Sequence, residues 1–150
     1  MPVLILPDLS VHESFLAGVD EILADPAVDP FGLTARFAAD HEPGWRRPEG
    51  FQAFVDALRA QELPDTPRPA GWVPTTTLWW VDDTEFLGRL SIRHRLADGL
   101  TGLRNGHIGY EVRPSMRRVS LMSERVIMNV SEVFSMSPRR KERSMAPIEW

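Results

Sequence analysis

The chain has 150 residues, 43% of them hydrophobic, which suits one domain with a buried core and leaves little room for a second. It contains no cysteine, which excludes disulfides, zinc–thiolate sites and a cysteine nucleophile, and its four histidines, at 12, 41, 94 and 107, form no His-x-x-x-His pair. The net charge of −4 divides as −7 over residues 1–70 and +3 over residues 71–150, a mild bias that suits an anionic ligand and equally an ordinary solvated surface.

The first stretch, VLIL, reads as a short strand stopped by Pro7. It is too short for the apolar core of a signal peptide and lacks a basic flank, and no run approaches a membrane span, so a cytoplasmic protein without membrane contact is expected. Ser10 and Glu13 have the spacing of a capping box, and Val11, Phe15, Val19, Ile22 and Leu23 follow at helical intervals, which predicts a first helix over residues 11–24. The next segment, DPAVDPFGLTARFAADHEPGWRRPEG, is rich in proline and glycine and reads as surface loop, with a helical turn or two near residues 33–39. Phe51, Phe54, Val55 and Leu58 then predict a second amphipathic helix that ends before Pro64, and LPDTPRPAGWVP reads as a linker.

From Thr75 the period changes to two. TTTLWWV and FLGRLSIRHRL, separated by DDTE, predict a hairpin. In its second strand Leu90, Ile92, His94 and Leu96 share one face, opposite Arg89, Ser91, Arg93 and Arg95. GHIGYEV supplies a third strand, with Ile108, Tyr110 and Val112 on one face and His107, Gly109 and Glu111 on the other. A strand and two helices followed by three antiparallel strands define an α+β class. After Arg118 the composition changes, because all ten glycines lie at or before Gly109 while seven of the ten serines lie at or after Ser115. Residues 119–150 therefore read as a divergent tail, in which a helical period competes with the β-prone run ERVIMNVSEVF before a disordered basic end.

Three runs in order, GWVPTTTLWWVDD, FLGRLSIRHRL and GHIGYEVRPSMRR, resemble a bacterial branch of the GNAT-type N-acetyltransferases, with patterns G-W-V-P-x-T-T, I-R-H-x-L and G-G-H-I-G-Y-x-V-R-P-S-x-R-R. The likeness covers about residues 2–118, with Asn105 in place of the first glycine of the third pattern. It implies the first part of an acyl-CoA N-acyltransferase fold and transfer of an acetyl group from acetyl-CoA to a small-molecule or peptide amine. By position, it implies that Val112 offers its amide to the thioester arm, while Arg117, Arg118, Val119, Ser120, Leu121 and Met122 form the turn around the pyrophosphate. In that turn Ser120 and Met122 stand where the family has glycine and a small residue, so weak acetyl-CoA binding is expected. Only 32 residues follow Arg118, too few for the family's remaining strands and helices, and the C-terminal half is expected to be missing or replaced. A non-catalytic remnant, or a protein that associates through an exposed sheet edge, is the alternative reading.

The catalytic candidates are Glu111, as a general base acting through water, and His94. Each has a structural alternative: Glu111 paired with Arg89 or Arg93, and His94 hydrogen-bonded within the core. His107, on the opposite face, is a candidate of the same kind. Arg117 and Arg118 suit phosphate contact and equally suit solvated turn arginines. Trp72, Trp79 and Trp80 suit the core better than an acceptor pocket. The basic PRRKER run lacks interleaved aromatics and implies no nucleic-acid partner. No Gly-x-Ser-x-Gly elbow points to a hydrolase, and no metal site is expected.

Overall fold

The computed structural model describes residues 1–27, 44–95 and 107–117. The predicted turns at residues 33–39, the connection between the last two strands and the divergent tail lie outside these residues. Within them the protein is α+β. A short strand β1 (Val3–Ile5) precedes helix α1 (His12–Ala24) and helix α2 (Pro48–Ala60), and strands β2 (Thr75–Asp82), β3 (Glu85–Arg93) and β4 (Ile108–Val112) follow. The four strands form one antiparallel sheet in the order β1-β2-β3-β4.

The start of α1 differs from the capping box that the sequence suggests. Asp8, in extended conformation, accepts the Ser10 N–H at 3.0 Å and caps a single 3-10 turn, Leu9–Val11; the α-helix begins only at His12, without a side-chain cap. A carboxylate two residues ahead takes the first unpaired amide more strongly than a hydroxyl does, so the start is set at Asp8 rather than Ser10. The predicted inward stripe holds at Val11, Phe15, Val19 and Ile22, all buried, whereas Leu23 remains exposed.

Helix α2 starts within the segment read as loop. Pro48 occupies its first turn, where the missing N–H costs nothing, and a 3-10 turn at Gly44–Arg46 leads into it. Gly50 is required there by close approach, since a Cβ would fall 2.0 Å from the Gly44 carbonyl oxygen. The linker after α2 is tied down. The Arg68 guanidinium donates to the carbonyls of Leu63 and Pro64 at 2.6 and 3.0 Å, and the Thr75 N–H donates to Gln61 O at 2.9 Å.

The helices pack on the sheet face that carries Trp79, Val81 and Phe86, against Phe15, Val19, Phe51, Phe54, Val55 and Leu58. Trp79 has no exposed surface; its ring stacks on Phe15 at 4.6 Å and meets Phe86 edge-on at 5.8 Å. An irregularity in β3 sets this arrangement. Trp80 pairs with Gly88 and Val81 with Phe86, so that Leu87 is an extra residue. The bulge turns Phe86 onto the helix face, which it then shares with Arg89 and Ser91. Leu78, Trp80, Leu90 and Ile92 form the other face and are buried as well. The alternation read along β3 therefore holds, but it does not separate a wet face from a dry one.

Candidate functional site

Of the four predicted site residues that are described, His94 lies just beyond the end of β3, Glu111 and Val112 lie on β4, and Arg117 lies in the turn after it. Arg118, Val119, Ser120, Leu121 and Met122 lie outside the described residues. The backbone directions of β4 follow from two bonds at its ends: Arg93 N–H donates to His107 O at 2.7 Å, and Arg113 N–H donates to Leu87 O at 2.9 Å. In an antiparallel ladder one residue's N–H and C=O point the same way, and the direction alternates along the strand. Residues 107, 109, 111 and 113 thus turn towards β3, and Ile108, Tyr110 and Val112 turn their amides and carbonyls outward. Among the described residues no strand pairs with that side of β4. The Val112 N–H therefore faces the side of β4 on which, among the described residues, no strand pairs.

Gly88 makes the close packing behind Val112 possible. It is the register partner of Val112, and a Cβ on it would stand 2.5 Å from the Glu111 carbonyl oxygen and 3.1 Å from the Val112 Cα. Any larger residue would push β4 away at the point where its edge is presented.

The side chain of Glu111 belongs to the helix face. Its register partner is Arg89, only 5% exposed, whose guanidinium also donates to Ser91 Oγ at 3.4 Å. Burial pushes Arg89 down to about 10, and the Glu111 carboxylate opposes that shift. Glu111 thus has the charged neighbour that its structural alternative requires. His94 stands exposed beyond the other end of β3. Its Nε2 lies 2.8 Å from Thr76 Oγ1, and its N–H donates to Pro74 O at 2.9 Å. It lies five positions along the chain from Arg89, roughly 17 Å at the rise of a β-strand. The fold does not bring His94 and Glu111 together. His107, just before β4, lies with its Nδ1 3.3 Å from Arg93 O.

The turn after β4 is bound to the last turn of α1. The Glu21 carboxylate accepts from Arg113 Nε and from the Ser115 N–H, and from Ser115 Oγ at 3.1 Å. Arg113 also lies 3.7 Å from Glu85. Arg117 pairs through its guanidinium with Asp25, the C-cap residue of α1, and its Nε donates to Val112 O at 3.0 Å. Arg117, the residue expected at a phosphate, is here held by a carboxylate and by the carbonyl of Val112 itself. Glu21 and Asp25 were not legible as parts of this site. They are one helical turn apart on α1, a spacing that signals a shared face but not what the face meets.

These carboxylates give the fold a defined response to acid. Burial works to raise Glu21, but its bonds from Arg113 and Ser115 outweigh that and hold it below its usual value of 4.5. The Ala27 amide, followed by Arg117, holds Asp25 below 3.8. A group depressed by folding contributes stability that is complete above its unfolded value and is lost as pH falls through the folded one. Urea midpoints are therefore expected to stay level from pH 7 to about pH 5 and to fall below about pH 4.5, with a shallower fall in Glu21→Gln. A midpoint unchanged down to pH 3 would contradict the clasp.

A cleft of about 400 Å³, lined by Leu9, Ser10, His12, Glu13, Ser14 and Thr84, lies where the start of α1 meets the β2–β3 turn and contains none of the predicted site residues. Among the described residues no group of three or more histidine, aspartate or glutamate side chains is placed to hold a metal, and no helix is long and apolar enough to cross a membrane. Comparison of the chain with family models, with curated proteins and with solved structures found no match.

Proposed function

We propose that this chain carries the donor-binding part of an acetyl-CoA-dependent N-acetyltransferase of the GNAT type, acting on a primary amine. The observation that supports the reading is the N–H of Val112, which faces away from β3 on the side of β4 where no described strand pairs, directly before the arginine-bearing turn, with the described elements in the order strand, two helices, three strands. The three sequence runs quoted above support it independently.

An extended acyl-pantetheine arm has amides spaced to pair with a strand edge, and β4 offers such an edge at Ile108, Tyr110 and Val112. With the thioester carbonyl accepting from the Val112 N–H, a neutral amine attacks the carbonyl carbon. The C–N bond forms, negative charge gathers on the oxygen that faces the amide, and collapse expels the thiolate while the amine gives up its proton. A single fixed donor aimed at the developing charge, together with alignment along the strand, is the catalytic contribution derived for this chain. Glu111 lies opposite Arg89 on the helix face, so in this reading it serves as proton acceptor only through an intervening water.

The diphosphate end of the donor fits less well. Arg117 is bound to Asp25 and Val112 O, and an incoming phosphate must compete with both. Weak binding of acetyl-CoA is therefore expected. A second reading, a non-catalytic domain that associates through the β4 edge, is favoured by the exposed Ile108 and Tyr110 beside the outward amides. Acetyl-CoA titration followed at the Val112 amide tests the first reading, because the second predicts no response there.

A further inference from the structure

Arg117 bridges the edge carbonyl of Val112 and Asp25 at the end of α1. Its partner Asp25 is well seated: 14% exposed against 43% for Arg117, and fixed by its own acceptance of the Ala27 N–H at 2.9 Å. The anchored carboxylate decides where the longer, more exposed guanidinium rests. We infer that Asp25 is a specificity-determining residue, which withholds Arg117 from the donor's phosphates and so removes most of the advantage of a diphosphate-bearing thioester over a phosphate-free one. This inference rests on the proposed acetyl-CoA reading for its setting, but the competition between Asp25 and an anion for Arg117 stands on the geometry alone.

The chemistry is an exchange of one anion for another. A diphosphate offers more acceptor oxygens and more charge than a carboxylate, and arginine matches either in forked geometry. In the intact chain the gain from phosphate contact is offset by the loss of the Asp25 pair. Removing the charge at 25 while keeping an acceptor for Ala27 leaves the turn in place and releases the guanidinium for the phosphate. The thioester end, bound at the Val112 N–H, is indifferent to the change.

The test compares acetyl-CoA, S-acetyl-pantetheine and inorganic pyrophosphate on the full chain, on Asp25→Asn, on Arg117→Ala and on the double variant. Binding is measured by calorimetry and by the shift of the Val112 amide. In the intact chain the two thioesters are expected to bind within about threefold of each other. Asp25→Asn should tighten acetyl-CoA and pyrophosphate by about three- to fivefold, the effect of one partly exposed ion pair, and leave S-acetyl-pantetheine unchanged. Adding Arg117→Ala should abolish that gain. Unchanged affinity for acetyl-CoA and pyrophosphate in Asp25→Asn, or a gain that persists without Arg117, would overturn the inference. If neither thioester moves the Val112 amide while pyrophosphate still tightens, the acetyl-CoA reading fails and the role of Asp25 stands. Asp25→Ser, which keeps a side-chain oxygen for Ala27, gives the same comparison should the asparagine variant fold poorly.

Discussion

Trp79→Ala is expected to destabilise the protein by about 3–5 kcal/mol, the range for emptying the site of a fully buried large aromatic. Trp79 has no exposed surface and is ringed by Phe15, Phe51 and Phe86, with centroids 4.6, 6.0 and 5.8 Å away. It joins both helices to the sheet, so neither can close on the void without parting from β2. A loss of that size is a large share of the roughly 5–15 kcal/mol that holds a domain folded, and much of the variant should be unfolded at 37 °C. Trp79→Phe keeps a stacked ring and should recover about half of the loss. Tyr110→Ala is the control. That ring is 65% exposed, and its removal should change stability by less than about 0.5 kcal/mol. Urea denaturation of the three variants decides the matter, and a Trp79→Ala midpoint close to that of the unaltered chain would show that the aromatic cluster is not the centre of the core.

The second large effect is expected in activity. Val112→Pro removes one N–H and, because that N–H faces away from β3, breaks no ladder bond. Proline is tolerated on such an edge. The variant should stay folded and lose amine-dependent thiol release from acetyl-CoA by about 100- to 1000-fold, the usual result of deleting one donor to a developing oxyanion. Val112→Ala, which keeps the N–H, should retain most of the rate. The comparison separates the backbone from the side chain. A proline variant as fast as the alanine variant would exclude the Val112 amide from the chemistry.

How much of this was legible in the sequence depends on how local each cause is. The hairpin and both helices follow from period and from proline and glycine punctuation, and Phe51, Phe54, Val55 and Leu58 are inward as their spacing requires. Boundaries were less legible where two local signals compete. Asp8 overrides Ser10 as the first cap, and Pro48 opens a helix inside a stretch whose glycines suggest a loop. The burial of Arg89 was not legible at all, because alternation assigns a residue to a face and does not say what covers it. The same holds for the bulge at Leu87, which fixes the face of Phe86 through pairing with β2.

The candidate site divides in the same way. Val112 is placed by strand parity, a property of the sequence, although which parity faces outward emerges only from the bonds at 93–107 and 87–113. Arg117 reads as a phosphate ligand in one dimension. In three it is the partner of Asp25, 92 residues away. Long-range ion pairs of this kind have no local signature, and His94, whose apolar neighbours suggest a place in the core, lies exposed just past the end of β3 beside Thr76.

The most direct test of the central claim is the amide spectrum of the 15N-labelled chain during titration with acetyl-CoA to millimolar concentration. The account predicts a saturable shift centred on the Val112 amide and extending to the other outward-facing amides, Ile108 and Tyr110, with an affinity weaker than about 100 μM because the phosphate end is poorly served. Glu111, which faces β3, should move less. An unmoved Val112 amide at saturating acetyl-CoA, or a response confined to surfaces away from β4, would contradict it.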